Sequence, residues 1–192
     1  MKKFELTTEF ITNMFGKKLF RIKALVEFGN VKAGELGGYV EKEENVSQDG
    51  NAWVSGDARV YGDAEVSGDA RVSGNAEVSG NAWVSGNAEV YGDAWVSGNA
   101  WVYGNARVSG NARVSSDADY ALVQGFGTEF RCTTFYRGKN KKIMVNCGCF
   151  HGDLEGFRKQ VKETRNGKIA KEYLMIADLM EYHFTSEDSS NE

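Results

Sequence analysis

Proline is absent from this 192-residue chain, histidine occurs twice and cysteine three times. No stretch approaches the eighteen or more apolar residues of a membrane span, and the opening MKKFELTTEF lacks the apolar core of a signal peptide. These absences predict a soluble, cytoplasmic protein with no membrane association. The cysteines, Cys132, Cys147 and Cys149, are odd in number and crowded into one segment, which argues against a disulfide framework and for reduced thiols. Strong charge of one sign is missing as well. Lys and Arg number eight against eight acids in residues 1–50, four against nine in 51–120, and eleven against seven in 121–185. So small a basic excess in the last segment falls far short of the stripe that nucleic-acid binding needs, and nucleic acid is not an expected partner.

Glycine, by contrast, is plentiful at 23 residues, eleven of which recur every six positions from Gly50 to Gly110. Aligned by sixes from Gly50, the chain reads GNAWVS, GDARVY, GDAEVS, GDARVS, GNAEVS, GNAWVS, GNAEVY, GDAWVS, GNAWVY, GNARVS, GNARVS and a degenerate SDADYA. Within each rung Ala-x-Val alternates with the period of two of a half-buried strand, so Val54 through Val114 point inward. Gly followed by Asn or Asp is a strong turn signal, because these residues best tolerate positive φ. Each rung is thus a very short strand ending in a sharp corner.

Such a strand cannot bury its valine alone, and the corners must wind the chain until successive turns stack. Three rungs close one coil of eighteen residues. The outward x positions then fall into three columns: Trp53, Arg71, Glu89, Arg107; Arg59, Glu77, Trp95, Arg113; and Glu65, Trp83, Trp101, Asp119. Opposite charges and aromatic rings stacked in this way favour the eighteen-residue coil. Glu77 is expected to pair with Arg59, and Trp83 to meet Trp101.

Both flanks suit the capping that open solenoid ends require. KKLFRIKALVEF (17–28) reads as a strand or hairpin, and GELGGYVEKEENVSQDG (34–50) as the entry to the first coil. After the rod, YALVQGFGTEFRCTTFYRG (120–138) and KKIMVNCGCF (141–150) read as two or three strands around the turn RGKNKK. Asp153 caps a helix from about Leu154 to Glu163, and 170–184 has helical apolar spacing. The expected organisation is an N-terminal capping segment (1–49), the repeat (50–119), an α+β domain (120–185) and a disordered tail (186–192).

Val-Ser-Gly-Asx-Ala-x resembles the hexapeptide repeat of left-handed parallel β-helices, a scaffold shared with many acyltransferases. The left hand comes from that resemblance alone. More specifically, residues 31–60 (VKAGELGGYVEKEENVSQDGNAWVSGDARV) together with 143–164 (IMVNCGCFHGDLEGFRKQVKET) resemble a family of phage and bacterial hexapeptide-repeat proteins, and the resemblance spans most of the chain. It implies a mainly β fold: a left-handed hexapeptide β-helix with an N-terminal β cap and a C-terminal α+β cap. Acyltransferases of this class present a histidine between coils or beside an extruded loop. Here His151 and His183 lie beyond the rod and no rung carries an insertion, so the expectation is a non-enzymatic protein without catalytic residues or cofactor.

Other constellations are weaker. Cys147, Cys149 and His151 alternate as if along one strand, which suggests a zinc site or a thiol activated by His151, against two cysteines packed as small hydrophobes. Corner Asp and Asn residues fit turn-forming ladders better than calcium sites. Arg137, Lys139, Lys141 and Lys142 form a basic turn suited to solvent or to phosphate. Because Val faces in, Trp83, Trp95 and Trp101 must face out, with Tyr103 beside Trp101 and Tyr91 on the corner leading to the Trp95 face. Exposed rings of this kind mark an interface. The functional expectation is a phage-type scaffold that self-associates as a dimer or trimer through its β-helix. It would bind a host or phage macromolecule, with an anti-defence role in view. Acyl-CoA-dependent acyl transfer and nucleotide or nucleic-acid capture by the C-terminal domain are the alternatives.

Overall fold

A computed structural model describes residues 2–185 and divides the chain into two compact units, Met1–Asp117 and Ala118–Glu192. The tail expected at 186–192 lies outside the described residues. In the first unit, strands β1 (Phe4–Thr12) and β2 (Lys18–Ala24) form an antiparallel hairpin, and β3 (Leu36–Val40) pairs with β2. Eleven two-residue strands follow, β4 to β14, beginning with Trp53–Val54 and recurring every six residues to Arg113–Val114.

Pairings among these short strands join residues eighteen apart: Trp53 lies beside Arg71, Arg59 beside Glu77, Glu65 beside Trp83 and Trp83 beside Trp101. They sort into three parallel sheets, β4-β7-β10-β13, β6-β9-β12 and the run β5-β8-β11-β14 that continues into β3. The result is a β-solenoid of about four turns, with the column assignment read from the x positions reproduced from Trp53 to Arg113. Rung alanines and valines from Ala52 to Val114 are at most 2 % exposed and fill its interior.

The corners explain the glycine period. Gly74 sits at φ +69°, and a Cβ there would lie 3.0 Å from the backbone nitrogen of Gly92 in the next coil. A side chain would meet both a strained backbone and its neighbour. Beside the glycines, Asn side chains donate along the rod: Asn51 to Asp69 at 2.8 Å, Asn75 to Asp93 at 3.0 Å, and Asn81 to Asn99 at 3.0 Å.

Parallel pairing reaches further toward the N-terminus than Gly50. Tyr39 lies beside Arg59 and Val46 bridges Val66, so 34–50 forms a degenerate coil offset by twenty residues instead of eighteen. The two extra residues occupy the corner after Val46, where Gln48 is diverted to the start of β1. Its side-chain oxygen accepts from the backbone nitrogens of Lys3 (2.7 Å) and Phe4 (3.2 Å). Side chains also replace the backbone donors that a preceding coil would supply. The buried Lys3 ammonium donates to the carbonyls of Asp49, Gly50 and Ala52, and the Asn45 amide to those of Gly62 and Ala64. Burial lowers the Lys3 pKa to about 8, with Asp49 and then Asp69 opposing the shift. Strand β1 was not expected from FELTTEFIT, where Thr8 interrupts the apolar alternation begun by Phe4 and Leu6 and the register breaks between Leu6 and Phe10.

In the second unit four strands, β15 (Tyr120–Phe126), β16 (Arg131–Arg137), β17 (Ile143–Cys147) and β18 (Phe150–Asp153), pair antiparallel in chain order. Two or three were expected; the fourth arises because Gly148, at φ +60°, reverses the chain within NCGCF. Helices α1 (Leu154–Thr164) and α2 (Gly167–Thr185) follow. Asp153 caps α1 by accepting from the Gly156 nitrogen at 2.9 Å. Leu154, Phe157 and Val161, at helical spacing, pack with Phe135, Val145, Ile176 and Met180 into a separate core.

Candidate functional site

Three of the four tryptophans reach the surface of the solenoid at the same rung position, and their surroundings differ. Trp83 on β9 and Trp101 on β12 are cross-strand partners whose ring centroids lie 5.0 Å apart at 45°. They are 36 % and 47 % exposed, and Tyr103, at the corner after Trp101, is 57 % exposed. The Trp83 indole nitrogen donates to the Ser67 hydroxyl at 3.2 Å, which fixes the ring over the corner below it. Glu65 begins this face and is half-buried.

Trp95 belongs to a different sheet, between Glu77 and Arg113. It is half-buried, with the Arg113 guanidinium 5.1 Å above its ring and its indole nitrogen buried without a partner. Tyr91, also half-buried, occupies the corner that leads to the Trp95 strand. The five expected interface residues therefore divide: Trp83, Trp101 and Tyr103 line one face and its corner, while Tyr91 and Trp95 lie on another side. A rung advances the chain by one side of the coil, so only positions eighteen apart share a face.

Charge along the rod is paired locally. Arg107 meets Glu89 at 3.3 Å. Glu77 accepts a hydrogen bond from the Tyr61 hydroxyl, in place of the expected pairing with Arg59. Burial, and then that carboxylate, push the Tyr61 phenol up to about 12. Tyr61 packs with Leu19 and Tyr39, tying the N-terminal hairpin to this corner.

The cysteine–histidine reading is overturned by the hairpin at Gly148. Cys147 ends β17, Cys149 lies in the turn and His151 is on β18, opposite Asn146. Alternation along β17 places Asn146 and Cys147 on opposite sheet faces. His151 Nδ1 is 2.6 Å from the Asn146 side-chain oxygen, with the Tyr136 hydroxyl at 3.4 Å. Cys147 instead packs with the helix-side core and accepts from the Thr133 hydroxyl at 3.1 Å. Cys147 and His151 thus go to different partners on β16 and β17, and none of the three cysteines forms a disulfide. Another surface had no counterpart in the sequence reading: Met175, Leu179 and Tyr182 form an exposed apolar stripe on α2. Their spacing of four and three residues was visible, but the same helix has a second, buried apolar stripe that accounted for the pattern.

Two stretches, residues 70–86 and 106–118, match the family model for the YdcK beta solenoid repeat. No curated protein matches the chain. The matched stretches lie almost wholly within the rungs and support a β-solenoid repeat, which is the architecture the strand pairing shows.

Proposed function

We propose that this protein is a non-enzymatic scaffold that self-associates through the aromatic face of its solenoid and presents its flanking segments to a host or phage macromolecule. The observation that carries the reading is the stacked, half-exposed pair Trp83 and Trp101 with Tyr103 beside it. Contiguous aromatic surface of this kind is costly to leave in water and dominates binding where it is covered. A second copy is the occupant that suits it best. Two equal rings on one column allow a two-fold axis to set Trp83 of one copy against Trp101 of the other and the reverse, the self-complementary arrangement of a symmetric dimer. The neighbouring Asn81–Asn99 ladder supplies a polar rim.

The finer assignment rests on the resemblance of the rungs and of residues 31–60 and 143–164 to phage and bacterial hexapeptide-repeat proteins: a left-handed hexapeptide β-helix, a phage-type origin, a cytoplasmic setting and an anti-defence role. The absence of histidine from the rungs and the lack of any loop extruded from them support a non-enzymatic role over acyl transfer.

Light scattering on the wild-type chain and on Trp83→Ser/Trp101→Ser at tens of micromolar tests the proposal. The wild type is expected to exceed its monomer mass of 21.2 kDa and the double variant to return to it. A wild type that stays monomeric removes the self-association claim.

A further inference from the structure

The second unit contains a cavity of about 290 Å³, at the lower end of the range that ligand sites occupy. It opens where the β15–β16 turn, the β17–β18 turn and the C-terminal end of α1 meet Tyr173 of α2. Its apolar wall is Phe150, Phe157 and Val161, with Phe157 and Val161 belonging to the core of this unit. Neutral hydrogen-bonding groups come from Thr128, Gln160 and Thr164.

Two guanidiniums border it. Arg131 is held only loosely, 4.0 Å from Glu129, with both side chains more than half exposed, so that pair is weak in water. Arg165 reaches the Thr164 carbonyl at 3.3 Å and has no carboxylate partner among the described residues. It caps α1, where it offsets the partial negative charge of the helix terminus. The Tyr173 hydroxyl lies 3.3 Å from the Phe126 carbonyl. Burial and then Cys147 raise its pKa, and Arg165 and Arg131 oppose that rise, so both cations are within electrostatic reach of one buried hydroxyl. Arg131, Arg165 and Glu129 leave the rim one net positive charge beside an apolar wall.

We infer that this cavity binds a small organic monoanion, an aromatic or aliphatic body carrying a carboxylate or sulfonate, with the body against Phe150 and Phe157 and the anionic head at Arg165 and Arg131. Guanidinium suits such heads because its planar fork matches their oxygens. Cys149, exposed in the turn beside the cavity, provides a reporter of occupancy. The site lies in the second unit and is independent of the solenoid's aromatic face.

The test uses full-length protein and the fluorescent sulfonate 1-anilinonaphthalene-8-sulfonate, with N-phenyl-1-naphthylamine as its uncharged counterpart. Saturable sulfonate binding is expected, weakened roughly tenfold in Arg165→Gln or Arg131→Gln, as loss of a charge-assisted contact implies. Binding of the neutral probe is expected to change little in either variant. Trp101→Ser is expected to leave sulfonate binding intact, and saturating sulfonate to slow alkylation of Cys149 by iodoacetamide. The inference fails if the sulfonate does not bind saturably, if both arginine variants bind it as the wild type does, if Trp101→Ser abolishes binding, or if Cys149 alkylation is unaffected.

Discussion

Trp53 and the pair Trp83–Trp101 occupy the same rung position, yet they live in opposite environments. Trp53 is 5 % exposed because the N-terminal segment folds over it: Phe4 and Phe28 approach edge-on at 6.2 and 5.4 Å. Lys3 in turn stands over the Phe28 ring at 4.8 Å. Trp83 and Trp101 stack on each other, and Trp83 also donates to the corner hydroxyl of Ser67, yet both rings stay partly exposed. Trp95 is intermediate, roofed by a single arginine. The repeat decides that a residue points outward; chain from elsewhere decides whether outward means surface or core.

That contrast can be broken most strongly at Trp53. Trp53→Ala is expected to cost about 3–5 kcal/mol, the range for a large buried aromatic, measured by urea unfolding. Equal stability of variant and wild type would mean that the N-terminal cover contributes nothing. Lys3→Met comes next, at about 1–3 kcal/mol, because it leaves the Asp49, Gly50 and Ala52 carbonyls without their donor.

On the exposed face, Trp83→Ser/Trp101→Ser is expected to lower monomer stability by only about 0.5–1.5 kcal/mol, the value of one aromatic pair, while changing the association state. A stability loss as large as that of Trp53→Ala would show that these rings are core. Arg113→Ala, which unroofs Trp95, should cost roughly 0.5–1 kcal/mol, read from the same unfolding curves.

The same N-terminal cover can be probed by pH. The Lys3 ammonium titrates at about 8 when folded and at 10.5 in the unfolded chain. Between those values the unfolded state holds more protons, so this group makes stability rise with pH across the window and leaves it flat below. The rise should vanish in Lys3→Met when unfolding free energies of the two proteins are compared from pH 7 to 10.5.

How much of this was legible in the sequence depended on whether a feature is repeated. The inward valines, the glycine corners and the meeting of Trp83 with Trp101 follow from one period, and each rung reinforces the next. Strand β1 follows from no period: it is fixed by one glutamine and one lysine reaching across more than forty residues. The Cys147–Gly148–Cys149 segment misled for a related reason. Alternation of residue types looked like a strand, but one glycine at positive φ turned it into a hairpin and sent His151 to Asn146. The cavity beside it is assembled from two turns and two helices, and no local pattern announces such a convergence.

The three-sided winding also makes the face sensitive to the length of a deletion in a particular way. Excising one hexad, residues 86–91, would leave every surviving rung able to fold, but everything downstream would slip by one side. Trp101 would then stack above Glu77, and Arg107 would take its place over Trp83. Excising or duplicating eighteen residues would preserve the phase of every column. For this surface the smallest unit that can be gained or lost without scrambling neighbours is a whole coil, even though the smallest unit that repeats is a third of one.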